Sequence, residues 1–231
     1  MEKESTHDLI IKSLKEKSSM KQDVYENTLR AFNLMKSVGF DLVREIKSNS
    51  EITDKRVVID YRERGDFEFE LRISGDLLIF SMHTNIFEFD KDHLMWRSSY
   101  IKEDPFRTYC GLINVYNFLN DSFKYNRIAD LGYLIGRIFI NKEKHYFLEG
   151  KRQLGFLHND FVNDIIDEKA IKTILESIIL YCLNFDLYTP PFDSIREISV
   201  SEMQAVNENM QIKTGKRLGF RFQADEDEIE G

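Results

Sequence analysis

The amino-acid sequence predicts an α+β fold, an antiparallel sheet of about five to seven strands covered on one face by helices. Three observations predict it. Between residues 56 and 98 apolar and polar residues alternate, so that Phe67, Phe69, Leu71 and Ile73 face one way and Glu68, Glu70 and Arg72 the other. The runs are joined by short turns, which connect antiparallel strands but cannot carry a crossover. Two long stretches, 24–46 and 161–183, place apolar residues at helical spacing instead.

Residues 5–48 read as an N-terminal helical segment in two pieces. Ser5 or Thr6 caps the first, whose stripe is Leu9, Ile10 and Leu14, and Ser18 and Ser19 interrupt it. The second carries Val24, Phe32, Met35, Leu42, Val43 and Ile46. A face this long needs cover, either from the sheet or from a second copy of the chain. Gly39 lies on it at a cost of about 1 kcal/mol relative to alanine, which implies a close contact or a helix break.

Strands are predicted at 57–61, 67–73 and 77–89, separated by Arg64-Gly65-Asp66 and Ser74-Gly75-Asp76. The phase of the third shifts near Thr84 and Asn85, which predicts a bulge. Asp90 to His93 turn the chain into a short fourth strand at 94–96. Asp104-Pro105 is a helix start, and Tyr109, Leu112, Ile113, Tyr116 and Leu119 form a helical stripe behind it. A second hairpin spans 128–140 and 144–148. The 161–183 helix is the most apolar and is expected to be central, with His158-Asn159-Asp160 as its cap. Beyond Pro190-Pro191 the pattern predicts a short helix to 210 and a late strand holding Leu218, Phe220 and Phe222. The whole reads as one domain over 1–222, followed by an acidic, flexible tail at 223–231.

Hydrophobic residues make up 42% of the 231, charged residues 31% and aromatics 13%, a globular balance rich in phenylalanine. The formal charge of −8 includes five carboxylates in the last eight residues, so the rest carries about −3. A body so close to neutral argues against broad nonspecific binding to nucleic acid. The first residues are polar, and no run approaches the roughly 18 apolar residues of a membrane span, so the expected location is cytoplasmic. Cys110 and Cys182 sit in apolar patterns and are expected to be buried free thiols.

The sharpest chemical signal is Glu149-Gly150-Lys151 at the end of an apolar strand, with Asp130 about one hairpin upstream. Two carboxylates and a lysine at adjacent strand ends can hold a divalent cation and orient an attacking water. Asp130, Glu149 and Lys151 locally resemble the PD-(D/E)xK nucleases, and that resemblance implies Mg or Mn and phosphodiester cleavage. The plainer reading of the same residues is a hairpin ending in solvated charges. Asp90, Asp92 and His93, with His83 near, offer oxygen and imidazole ligands for zinc or manganese, or else a polar turn. Lys144, Lys151, Arg152, Lys213, Lys216, Arg217 and Arg221 would form one basic patch if the late strand lay beside 144–152, with Tyr146, Phe220 and Phe222 as stacking surfaces or with an acidic tail held against it. The plainer reading, which is preferred, turns the aromatics to the core and the cations to water. There is no Walker loop and no nucleophile elbow.

With no catalytic constellation in evidence, the leading expectation is a non-catalytic assembly or adaptor domain without a cofactor. Its partner is expected to be a second copy, as a homodimer, or another protein, with nucleic acid a lesser expectation. The helical face at 24–46 and the aromatic content motivate it. The metal-dependent nuclease is the first alternative. A small-ligand sensor with a pocket lined by Tyr109, Tyr116 and Trp96 is the second.

Overall fold

The computed structural model describes residues 5–128, 130–150, 154–155, 158–184, 192–201 and 203. Its centre is a six-stranded antiparallel sheet: β1 (Ile59–Glu63), β2 (Glu68–Ile73), β3 (Asp76–Glu88), β4 (Tyr109–Leu119), β5 (Tyr133–Asn141) and β6 (Tyr146–Gly150). The strands lie in chain order, so the sheet is a continuous meander. The α+β class and the antiparallel sheet are as the sequence predicts.

One face is covered by two helices, α2 (Ser19–Lys47) and α5 (Glu168–Leu183). Met20, Val24, Thr28, Ala31, Phe32, Met35, Val38, Leu42 and Val43 recur at three- and four-residue intervals along α2, and all are buried. From Ala31 onward they meet Phe69, Leu71, Leu78, Phe80, Ile113, Val115, Ile138 and Leu148 from the sheet and Ile171, Ile174, Leu175 and Ile178 from α5, whereas Met20 and Val24 pack with Tyr109. The Phe69 and Phe80 rings stack 4.5 Å apart at the centre. The long face at 24–46 is therefore covered within the chain. Gly39 marks a close approach and not a break, because a Cβ there would lie 3.4 Å from the Phe69 ring and 3.7 Å from Leu175.

On the reverse face Phe89, Tyr100, Ile101, Cys110, Leu112, Phe139, Phe147 and Phe161 form a second cluster. The segment between β3 and β4 roofs it, with α3 (Ser99–Glu103) and a 3-10 turn on either side, Leu94–Arg97 and Pro105–Thr108. This face is accordingly not wholly wet. Glu70, on its solvent-facing register, is only 2% exposed and pairs with the Arg64 guanidinium.

Three expected elements change type. Residues 94–96 form a 3-10 turn capped by His93 Nδ1, which accepts from the Met95 N–H at 3.2 Å, and not a strand. Asp104 does cap a turn, accepting from Phe106 N–H at 2.9 Å, but the chain then runs extended as β4. The stripe from Tyr109 to Leu119 fits helix and strand equally, since both faces of a central strand are buried and period two is hidden. Pairing with β3 and β5 decides it, helped by β-branched and aromatic residues at 113, 115, 116 and 118. Finally, the long helix starts at Glu168 and not near Phe161, capped by Asp167, whose carboxylate accepts from Ala170 N–H at 2.7 Å. Residues 158–166 instead run along β6, where Leu148 N–H donates to His158 O, Tyr146 N–H to Asp164 O and Ile166 N–H to Lys144 O. They satisfy backbone groups that a bare edge strand would leave free.

The first helical piece, α1 (Thr6–Ser13), is joined to α2 through a π-helical turn, Leu14–Ser18, so the predicted interruption is a local widening and not a break. Ser5 caps it through a capping box with Asp8. Two further short helices are α4 (Asn120–Lys124) and α6 (Phe192–Ile195). The predicted helix to 210, the late strand at 218–222 and the tail at 223–231 lie outside the described residues, apart from 199–201 and 203.

Candidate interaction surface

The predicted nuclease residues take separate partners. The Asp130 carboxylate accepts from Ser122 Oγ at 2.6 Å and pairs with the Arg127 guanidinium, in a depression shared with Phe118 and Phe123. Glu149 lies directly across the β5–β6 ladder from Arg137 and pairs with it, lining a different depression with Leu134 and Gly136. Lys151 lies outside the described residues. Each described carboxylate thus answers a nearby arginine.

Among Asp90, Asp92 and His93, the imidazole caps a turn and stacks on Phe89 at 4.7 Å, while the Asp90 carbonyl accepts from Trp96 Nε1 at 2.9 Å. His83 turns to its own strand, where its Nδ1 accepts from Asn85 N–H at 3.0 Å. Among the described residues no three His, Cys, Asp or Glu side chains converge as a metal site. Of the proposed pocket aromatics, Trp96 borders the Phe89 cluster, whereas Tyr109 packs with Met20 and Val24. Tyr116 lies beside Phe118. Cys110 and Cys182 are buried and form no disulfide, as the sequence predicts, and burial pushes the Cys110 thiol well above its usual range. Of the residues weighed as a basic patch, 151, 152, 213, 216, 217 and 221 lie outside the described residues.

The feature that stands apart is α1. All of residues 5–19 are exposed. Leu9, Ile10, Ile11 and Leu14 are 50%, 54%, 51% and 60% exposed. Ile10 and Leu14 are four apart and Ile11 and Leu14 three apart, so these three side chains share one helical face. A single helix of eight residues is marginal in water. Here it extends a long helix whose inner half is anchored by the sheet, which removes the nucleation cost. Its direction is set where it meets the body: Lys17 and Lys21 lie over the Tyr109 ring at 5.1 and 5.5 Å. The Tyr109 hydroxyl donates to Glu88 at 2.7 Å. Hydrogen bonding with Tyr109 raises the Lys17 pKa, and the Glu88 charge adds to it.

Beside this junction is a depression of about 580 Å³ between α2 and the bulged end of β3. Lys21 and Tyr25 form one wall and Thr84, Ile86 and Phe87 the other. The bulge makes it. Pairing with β4 jumps from His83 to Phe87, leaving Thr84, Asn85 and Ile86 opposite Gly111. Phe87 remains 39% exposed, its ring edge against His83 at 4.8 Å. The sequence shows the stripe at Leu9, Ile10 and Leu14 and the bulge at Thr84 and Asn85. That the bulge faces Lys21 and Tyr25 of α2 is invisible there, because it depends on α2 crossing the sheet at Gly111.

Among the described residues, no helix is long and apolar enough to cross a membrane. No protein-family model, curated protein or solved structure matches the chain.

Proposed function

We propose that the chain is a non-catalytic assembly domain that forms a homodimer, with α1 as the element that recognises the partner. One observation carries this reading: α1 and the first residue of the π-helical turn after it, Leu14, present four large aliphatic side chains, each at least half exposed, and α1 buries none. Ile10, Ile11 and Leu14 share one helical face, and a contiguous exposed apolar patch is characteristic of a protein contact. The face at 24–46 is taken up by the chain's own sheet, so α1 replaces it as the association surface. The charged pairs at Asp130 and Glu149 support structure in this reading and not hydrolysis.

Sedimentation velocity across the micromolar range tests it. The wild type is expected to shift from monomer to dimer with concentration, and the Ile10→Glu, Leu14→Glu double variant to remain monomeric with an unchanged melting temperature, since neither side chain is buried. A wild type that stays monomeric throughout would overturn the proposal.

A further inference from the structure

We infer that the free edge of β1 is a strand-acceptor site, and that its occupant is the chain's own segment 218–222, added antiparallel as a seventh strand. This is separate from the dimer reading and does not depend on it.

The sheet has two edges, and among the described residues only one is covered. Along β6 the 158–166 segment takes up the backbone groups. Along β1 the bonds all run inward. Ser74 N–H donates to Val58 O at 2.6 Å and Arg64 N–H to Glu68 O at 3.0 Å, so the even-numbered residues turn their backbone to β2. Ile59, Tyr61 and Glu63 therefore turn their N–H and C=O groups outward, and no described residue donates to them or accepts from them. Such a row of unmet groups is a template for a further strand.

This edge also has an apolar margin. Ile59 is buried, and the Tyr61 ring packs on Phe40 and Phe69 at 5.6 and 5.8 Å. Phe40 is half exposed, and Ile52, Val57 and Val58 are about two-fifths exposed. A strand that is apolar on that face would carry the core outward over them. Residues 218–222 have the pattern: Leu218, Phe220 and Phe222 alternate with Gly219 and Arg221.

Charge selects the register. Asp60 and Arg62 lie on the opposite face of β1 from Ile59 and Tyr61. Pairing Phe220 with Tyr61 sets Phe222 beside Ile59, Arg221 opposite Asp60 and Gly219 opposite Arg62. A shift of two residues either way puts Arg217 or Arg221 opposite Arg62, a like-charge pair that destabilises a sheet. In the favoured register the acidic residues that follow, Asp225 and Glu226, run out toward Arg56 and Lys55, both exposed. The chain is long enough. The residues between Met203 and Leu218 span up to roughly 50 Å, against a diameter of roughly 40 Å for a domain of about 200 residues.

Hydrogen exchange on the full chain reads the edge directly. The Tyr61 and Glu63 amides are expected to exchange roughly 100-fold or more slower than unbonded amides. In the Phe220→Asp, Phe222→Asp variant they should reach the unbonded rate, while amides of β3 and β4 stay slow and report an intact fold. Fast exchange at 61 and 63 in the wild type would overturn the proposal, and so would slow exchange that survives the double substitution. A cross-link checks the register. Arg62→Cys with Gly219→Cys forms a directly opposed, non-hydrogen-bonded pair, the geometry in which a disulfide closes. Mild oxidation is expected to link them within one chain on a non-reducing gel, and to leave Arg62→Cys with Arg217→Cys unlinked. A link between two chains, or equal linking at 217, would overturn the assignment.

Discussion

Thr28 on α2 sits against Gly111 on β4 so closely that a Cβ at residue 111 would fall 2.0 Å from the Thr28 hydroxyl and 2.7 Å from its Cβ. The hydroxyl itself donates to the Val24 carbonyl at 2.7 Å, which keeps it within its own helix. One residue farther back, Asn27 Nδ2 donates to the Lys142 carbonyl at 2.7 Å in the β5–β6 turn. These contacts fix where the helix crosses the sheet, and hence where α1 leaves the body.

Gly111→Ala is therefore expected to destabilise the fold by about 1–3 kcal/mol, the usual cost of overpacking an interior contact. Thr28→Ala should recover only part of that loss in the double variant, because the Thr28 Cβ remains too near. Chemical denaturation of the two single variants and the double variant checks both statements.

At Gly39 the space differs. A single added methyl group would meet the Phe69 ring at 3.4 Å, an ordinary contact, while the helix would gain up to about 1 kcal/mol in propensity. Gly39→Ala is expected to be neutral or stabilising. Gly39→Leu, which must displace Phe69, Leu71 or Leu175, should cost about 1–3 kcal/mol. Thermal melts of both variants separate the two effects.

Much of this was legible in the residues themselves. Alternation at Phe69, Leu71 and Ile73 identified β2 and its buried face, and the period-3.6 stripe from Val24 to Val43 identified α2. The same patterns misled at Tyr109 to Leu119, where burial on both faces erased the alternation that marks a strand. They also misled at 158–166, whose backbone serves β6 instead of a helix, an association between neighbours that no local periodicity encodes. Glu149 and Asp130 looked like a pair by strand logic. The arginines that hold them apart, Arg137 and Arg127, are specified by register and by a local turn. The groove at Phe87 is a tertiary product of helix placement and bulge, so only the bulge could be read in advance.

His158 gives the fold a pH dependence. It is 5% exposed, its Nδ1 lies 3.4 Å from the Tyr146 hydroxyl, and its Nε2 is buried without a hydrogen-bond partner. Burial lowers its pKa below the ordinary 6.5, against an opposing pull from the Asp164 charge. A base whose pKa falls on folding takes up its proton more readily when unfolded. Stability is then full above about pH 6.5 and declines as the pH drops from there toward the native value. The Glu88 carboxyl is held below its usual range by Lys91 and Tyr109. For Asp104 and Glu143 burial pulls upward, but hydrogen bonds from Lys142 to Asp104 and from Tyr100 and Arg107 to Glu143 outweigh it. Stability from these three is lost only at lower pH, as each is protonated. His158→Gln is expected to flatten the decline just below pH 6.5 and leave the more acidic limb in place, as followed by denaturant midpoints across pH.

The β5–β6 turn is tied to the reverse-face roof through one buried amide. Asn141 Nδ2 donates to the Tyr100 hydroxyl at 2.9 Å, and its Oδ1 accepts from the N–H groups of Glu143 and His145. The Tyr100 hydroxyl in turn donates to Glu143 at 2.8 Å, and Arg107 reaches the same carboxylate at 3.0 Å. Tyr100→Phe leaves Asn141 Nδ2 without that acceptor in a buried site. A loss of about 1–3 kcal/mol is expected, measurable by urea unfolding monitored through Trp96 fluorescence.

The most direct measurement is the solution mass of the unmodified chain over a concentration series, by light scattering or sedimentation equilibrium. The account predicts a rise from the 27.4 kDa of one chain toward twice that value within the micromolar range, abolished by Ile10→Glu with Leu14→Glu. A mass that stays at one chain throughout would contradict it.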